Sequence, residues 1–229
     1  MSIFVGIEKL SLVDFDSKIS CTLFTSGCNF RCTYCHNTPL MYNNHKMLNW
    51  NEIKEFLHSR KNILDAVVIT GGEPTINNEL PNYLKEIKSF GYLIKLDTNG
   101  TNPKMIQELL NQKLIDYIAM DIKTSIDNYQ TITKNKFLNL DTIKESINII
   151  KTSNIPYEFR TTLVKEYHNI QIINDIKDLL KGANILYLQK FILRDTCLDQ
   201  NLHEVELIDA QHYQKILGET IKEVKLRGY

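Results

Sequence analysis

The stretch Ile19-Ser20-Cys21-Thr22-Leu23-Phe24-Thr25-Ser26-Gly27-Cys28-Asn29-Phe30-Arg31-Cys32-Thr33-Tyr34-Cys35-His36-Asn37 runs from a short apolar segment straight into a loop carrying three thiols. Its first seven residues have the length and β-branched content of a buried strand, and the chemistry begins where they end. The same join recurs downstream. Ala66 to Thr70 leads into Gly71-Gly72-Glu73-Pro74, Leu93 to Asp97 into Thr98-Asn99-Gly100, and Tyr117 to Ile122 carries Asp121 and meets Lys123. Tyr157 to Leu163 and Ile185 to Phe191 complete six candidate strands. Segments of helical periodicity fill the intervals, which is the pattern of an α/β chain with a parallel sheet.

The helices carry boundary signals. Asn49 with Glu52 three residues later resembles a capping box, and Asn102-Pro103 sets a cap residue before proline at the first helical position. Gly91 and Gly182 sit where helices should stop. Ile143, Ile147 and Ile150, and later Tyr213, Ile216, Leu217 and Val224, recur at helical spacing and are expected to face the sheet as core. Six parallel strands with right-handed crossovers form either an open doubly wound sheet or an incomplete barrel, and periodicity does not separate the two. Either architecture puts the ligand at the carboxyl ends of the strands, where four unusual local sequences converge. No repeat or linker interrupts the pattern, so residues 1–229 read as one domain.

Composition excludes several classes of function. Hydrophobic residues make up 43% of the 229 and charged residues 24%, which fits a globular chain rather than a disordered one. Lys and Arg together number 27 and so do Asp and Glu. The net charge of zero supplies no bulk field for a nucleic acid or a membrane surface. No apolar run reaches the roughly 20 residues needed to cross a bilayer, and the amino terminus lacks the marks of a secretory signal. A cytoplasmic protein with neither nucleic-acid nor membrane partners is expected.

Five cysteines is an odd number, and Cys28, Cys32 and Cys35 crowd together while Cys21 and Cys197 stand apart. A disulfide framework fits this poorly, whereas metal or redox chemistry fits it well. The spacing CxxxCxxC presents three thiolates to three corners of a four-iron cluster. Cluster-binding runs usually offer a fourth thiolate, and with none nearby one iron keeps an open position for a substrate. A zinc site completed by His36 is the alternative, but zinc usually joins two separated ligand pairs, and this single loop closes nothing. Cys21 and Cys197 read as buried hydrophobes without a ligand role. Arg160 lies inside an otherwise apolar strand, where its charge needs an anionic partner. Lys123, two residues after Asp121, shares its face of an extended strand.

CxxxCxxC with Tyr34 just before its last cysteine resembles the signature of radical S-adenosylmethionine (SAM) enzymes, whose fold is a partial (β/α)6 barrel. More narrowly, Lys9 to Asp14, Thr22 to Cys32 and Cys35-His36-Asn37 are similar to the activating proteins of anaerobic ribonucleoside-triphosphate reductase, a glycyl radical enzyme. The resemblance runs essentially end to end. Phe15-Asp16-Ser17 departs from it, since relatives usually carry an aromatic-Pro-Gly turn there.

The resemblance implies a single [4Fe-4S] cluster on Cys28, Cys32 and Cys35, with SAM chelating the open iron. It further implies reductive cleavage of SAM to methionine and a 5′-deoxyadenosyl radical, which abstracts hydrogen from a glycine of the reductase. An external one-electron donor such as flavodoxin would feed the cluster. Bond breaking belongs to cluster and cofactor, so no further catalytic side chain is expected. Residue by residue, the resemblance implies that Gly71, Gly72, Glu73 and Pro74 meet the SAM amino group. Asp97 and Thr98, with Asp121, would hold a monovalent cation beside the SAM carboxylate. Arg160 would contact SAM, Gln189 would lie near the adenine, and Tyr34 would offer it a backbone contact. Asn99 and Lys123 complete the cofactor-binding set.

Plainer roles exist for most of these residues. Gly71 to Pro74 reads also as a strand-to-helix turn, and Asp97 to Gly100 as a turn with a helix cap. Asp121 and Lys123 form a salt bridge on their own, Arg160 a structural ion pair, and Gln189 satisfies backbone groups. His36 reads as a hydrogen-bond donor beside the loop rather than a ligand. Two other functions compete: a radical SAM enzyme acting on a small molecule or peptide, resembling 7-carboxy-7-deazaguanine synthases, and a zinc-binding interaction module.

Overall fold

The computed structural model describes residues 2–229. Eight strands lie in one sheet in chain order: β1 (Phe4–Ser11), β2 (Ser20–Thr25), β3 (Ala66–Gly71), β4 (Leu93–Thr98), β5 (Tyr117–Asp121), β6 (Tyr157–Leu163), β7 (Ile185–Lys190) and β8 (Glu223–Arg227). From β2 to β8 every pairing is parallel, whereas β1 runs antiparallel to β2. Helices α1 (Trp50–Ser59), α2 (Leu80–Ser89), α3 (Pro103–Asn111), α4 (Tyr129–Thr133), α5 (Leu140–Thr152), α6 (Ile170–Leu179) and α7 (Leu207–Leu217) occupy the crossovers. Among the described residues no helix is long and apolar enough to cross a membrane.

The six strands read from the sequence are β2 to β7, with ends displaced by at most one residue. β1 and β8 lie outside that reading. Val224 belongs to β8, not to the helical stripe, because α7 ends at Leu217. Tyr213 and Leu217 are buried as expected, as are Ile143, Ile147 and Ile150. Asn102 caps α3 by accepting from Met105 N. Asn49 caps α1 through Asn51 N, but Glu52 meets the Asn49 side chain instead of closing a capping box on its backbone. Gly91 and Gly182 follow α2 and α6 with φ of +91° and +78°.

Side-chain alternation with period two divides the sheet into two faces. Leu23, Ile69, Leu96, Ile118, Phe159 and Leu188 pack with the apolar stripes of the helices in one core. On the other face, Thr22, Lys95, Glu158 and Tyr187 are buried without joining that core. The β1–β2 loop fills this second face. Phe15 packs on Ala66 and Val68, Asp14 accepts from the Thr22 hydroxyl at 2.6 Å, and the Asp14 carbonyl accepts from Lys95 Nζ at 2.7 Å. Asp16 accepts from the Tyr187 hydroxyl on β7 at 3.2 Å and lies 3.7 Å from Arg227 on β8. One loop therefore touches strands from β2 to β8, which means that the sheet is curled about it into a partial barrel. Ser17 takes the left-handed φ of +61° in the Phe15-Asp16-Ser17 turn, and Lys18 N closes it on Phe15 O at 3.1 Å.

Candidate functional site

β2 ends at Thr25, and the thiol loop that follows is fixed by backbone bonds before any metal is considered. Gly27 N donates to Leu40 O at 2.9 Å, Cys28 N to Met41 O at 3.2 Å and Arg31 N to Thr133 O at 2.8 Å. The Arg31 guanidinium donates to the carbonyls of Cys28 and Phe30. Burial pushes the thiols up, Cys28 to about 11 and Cys32 to about 12, with Cys35 raised as well. The Lys123 ammonium opposes that rise at all three. The donor set is thus three sulfurs on one cavity wall, favoured as thiols by burial, beside a cation that favours their thiolate forms.

Gly71-Gly72-Glu73 joins the end of β3 to this loop. Gly71 has φ +121°, and Glu73 N donates to Gly27 O at 2.8 Å. A Cβ on Gly72 would lie 2.0 Å from Gly27 O, so only glycine permits the approach. Glu73 is buried, and its carboxylate is saturated. Oε1 accepts from Thr75 N, the Thr75 hydroxyl and the Thr98 hydroxyl, while Oε2 accepts from Asn99 N at 2.6 Å. Burial raises its pKa and these donors oppose the rise. Glu73 therefore ties the end of β3 to the end of β4, while Gly71 and Gly72 line the cavity with the Gly72 N–H held by Thr25 O at 3.0 Å. Asn99 Nδ2 continues the tie to Asn29 Oδ1 at 2.8 Å in the thiol loop.

Across the cavity stands a charged set. Arg160 Nε donates to Asp121 Oδ1 at 2.9 Å, its Nη1 to Asp97 Oδ2 at 3.2 Å, and Lys123 Nζ to Asp121 Oδ2 at 2.8 Å. Burial would lift the Asp121 carboxyl, but Arg160 and Lys123 overcome it and hold the pKa at about 2. Burial also works against the Lys123 charge, and Asp121, together with the neighbouring Tyr34 and Cys32, outweighs it and raises the pKa. Asp97 Oδ1 is buried without a hydrogen bond, 4.0 Å from Lys95 Nζ. Beneath lie Lys95 and Glu158, 3.4 Å apart and almost wholly buried, with Tyr117 donating to Glu158 and Arg227 at 3.6 Å. The sequence reading missed this lower layer, although Lys95 precedes Asp97 by two residues and Glu158 precedes Arg160 by two.

A cavity of about 540 Å³ gathers these groups, a volume suited to a small organic ligand. The three cysteines line it together with Tyr34, Gly71, Gly72, Glu73, Asp97, Thr98, Asn99, Asp121, Lys123, Arg160 and Gln189. Pro74 alone of the expected contacts does not; it is buried behind the wall as the first residue of a 3-10 turn. The Tyr34 ring packs between Tyr167 and Phe191. His36 lies flat against Phe191, and its Nε2 meets Ile192 O at 2.7 Å. Its Nε2 is thereby committed to backbone, while His36 also lines the cavity beside the cysteines. Cys21 and Cys197 are buried in the apolar core, and Cys197 lies near enough to Cys35 to disfavour its thiolate.

Three thiols lining one cavity suit an iron–sulfur cluster with one open corner. An ammonium, a guanidinium and a carboxylate oxygen that makes no hydrogen bond, around one cavity, suit a ligand that carries both a carboxylate and an amino group. Residues 22–179 match the Radical SAM superfamily. A Methanocaldococcus jannaschii protein, named by inference as a glycyl-radical enzyme activating enzyme, is 36% identical over 206 residues, 83% of this chain and 80% of the relative. The pyruvate formate-lyase-activating enzyme of Clostridium pasteurianum is 31% identical over 228 residues, 92% of this chain and 93% of its own. Among solved structures, Streptococcus suis SuiB superposes with a TM-score of 0.68 at 13% identity; 89% of this chain and 47% of that one are covered, so the likeness is one of fold. Motif, cavity and relatives agree, and the chain belongs to the radical SAM superfamily and, within it, to the enzymes that activate glycyl-radical enzymes.

Proposed function

We propose that this enzyme installs the glycyl radical of anaerobic ribonucleoside-triphosphate reductase, with a [4Fe-4S] cluster on Cys28, Cys32 and Cys35 and SAM in the 540 Å³ cavity. The observation that carries the reading is the meeting of three thiols, the glycine-rich turn and the Asp97–Arg160–Asp121–Lys123 set in that one cavity. When bound, cluster and SAM supply one-electron cleavage of the sulfonium and a 5′-deoxyadenosyl radical.

The chain's own residues bind and orient. Gly72 lets the β3 turn close against the thiol loop, and Glu73 locks that turn to Thr98 and Asn99. Lys123 and Arg160, fixed by Asp121 and Asp97, present cations to the SAM carboxylate. Asp97 Oδ1 would accept a hydrogen bond from the amino group, or coordinate a monovalent cation that Thr98 and Asp121 help to hold; the Thr98 hydroxyl oxygen would then share itself with the cation while accepting from Gly100 N and donating to Glu73. Gln189 and the Tyr34 backbone serve the adenine. The choice of reductase rests on the likeness at Lys9 to Asp14 and Thr22 to Cys32, and residues 1–229 act as one radical SAM domain fed by a flavodoxin-type donor.

Anaerobic reconstitution with iron and sulfide tests the cofactor part: about four irons per chain and SAM-dependent 5′-deoxyadenosine are expected. One zinc per chain without SAM cleavage would end it. The substrate part is read by electron paramagnetic resonance after mixing with the reductase or with pyruvate formate-lyase. A glycyl doublet in the reductase alone supports the proposal; a doublet only in the lyase, or in neither, refutes it.

A further inference from the structure

Cys28 lines two cavities, the central one and a second hollow of about 400 Å³, which share no other wall residue. The walls of the second hollow include Arg31, Lys134, Asn135, Lys136 and Phe137, and among the described residues no carboxylate lines it. In a chain of zero net charge this is a local concentration of positive charge. Phe137 is 98% exposed, a large apolar side chain with nothing over it. The segment is mounted on the thiol loop itself: Arg31 N donates to Thr133 O at 2.8 Å and Asn135 Nδ2 to Asn29 O at 3.3 Å.

We propose that Arg31, Lys134, Lys136 and Phe137 form the docking surface for an acidic one-electron carrier protein, which delivers its electron through the Cys28 side of the loop. The inference rests on the cluster assignment made above and deepens it. Of the partners an activase needs, this surface fits the carrier. A glycine-bearing partner must reach the SAM-binding rim, yet none of Gly71, Asp97, Lys123 and Arg160 borders the second hollow. An electron, by contrast, needs only nearness to a cluster ligand, and Cys28 supplies it. Unpaired lysines around an exposed aromatic give the two components of such an encounter, electrostatic steering from a distance and an apolar anchor on contact. The transfer balances simply: the carrier is oxidised by one electron and the iron–sulfur group is reduced by one, with no bond made or broken.

The experiment pairs binding with a split between reductants, using a flavodoxin as the carrier and Lys134→Glu/Lys136→Glu as the variant. Both lysines are exposed and carry no core contact, so the fold should persist. Wild-type affinity for flavodoxin should fall steeply with added salt, and the variant should bind about tenfold or more weakly at low salt. Phe137→Ala should weaken binding without changing the salt slope. Flavodoxin-driven formation of 5′-deoxyadenosine should fall with affinity, while dithionite-driven formation stays at the wild-type level. Unchanged flavodoxin binding in the double variant overturns the proposal, as does an equal loss with dithionite. So does retained flavodoxin binding with lost binding of the glycyl-radical enzyme, which would assign the surface to that partner. Failure of the wild type to cleave SAM with dithionite would instead refute the cluster reading on which the proposal stands.

Discussion

At Gly72 the requirement is set by single atoms. An added methyl would meet Gly27 O at 2.0 Å and Gly27 C at 2.6 Å, both backbone, so no flexible side chain can give way. Gly91 offers the contrast, with φ +91° but nothing within 4 Å of its Cβ position. Gly72→Ala is expected to destabilise by about 1–3 kcal/mol through overpacking and to lower iron retention, because the displaced atoms belong to the thiol loop. Gly91→Ala should cost about 1–2 kcal/mol for its left-handed backbone and leave iron content intact. Thermal unfolding and iron content after reconstitution check both; equal iron loss in the two variants would refute the argument. The thiols and the Gly-Gly-Glu turn were legible in the sequence because their spacing is unusual in itself. Lys95 and Glu158 were not read, yet the reasoning that singled out Arg160, a charge inside an apolar strand, applies to both. Their partners are contributed by β4, β5, β6, β8 and the β1–β2 loop, and single-strand periodicity does not show which strands become neighbours across a curled sheet.

Between elements, charge and neutrality each hold strand ends together. Lys95 on β4 and Glu158 on β6 are 5% and 1% exposed and 3.4 Å apart. Removing one partner leaves the other buried and unpaired, so Glu158→Met should cost about 3–5 kcal/mol, whereas Lys95→Met/Glu158→Met should recover much of that loss. Denaturant unfolding of the four members of the cycle checks this, and additive losses would refute the pairing. His168 does the opposite by staying neutral. Its Nδ1 accepts from Val164 N at 3.0 Å, leaving Nε2 to donate to Lys123 O at 3.2 Å, and burial depresses its pKa from 6.5 to about 4. The folded state thus binds this proton more weakly than the unfolded chain. The contribution is whole above pH 6.5 and is lost as pH falls toward 4, about 3 kcal/mol in all. Unfolding free energies of wild type and His168→Leu between pH 7 and 4 should therefore converge on acidification; parallel curves would dismiss His168. The elements themselves were legible where burial on both faces gave continuous apolar runs, as in β3 and β7. β1 and β8 are edge strands with exposed charged positions, and β1 is broken by register shifts near Phe4 and Glu8. β8 does alternate, Glu223, Lys225 and Arg227 against Val224 and Leu226, but five residues directly after a helix continued a helical reading as readily as a strand.

For the molecule as a whole, the question is whether iron builds the fold or occupies it. The apolar core spans the helices and the outer face of β2 to β8, and the thiol loop is tied to its surroundings without sulfur, through Gly27, Cys28, Arg31 and the Glu73 amide. A cluster on Cys28, Cys32 and Cys35 closes only a short loop that is already closed by these bonds. Small zinc domains differ, since their metal supplies the folding free energy itself. The iron-free protein should therefore keep its far-ultraviolet circular dichroism and a cooperative thermal transition, with reconstitution raising the midpoint by a few degrees. Its thiols give an independent readout. With Cys28 at about 11 and Cys32 at about 12, few of these groups are thiolates at pH 8, so alkylation should be slow in the folded apoprotein and fast in denaturant. Cys21, wholly buried on β2 and raised to about 12, should react only on unfolding. An apoprotein without helical signal, or one whose five cysteines all alkylate at the denatured rate, would show that the barrel depends on its cluster, and the backbone ties described above would then be consequences of iron binding rather than its scaffold.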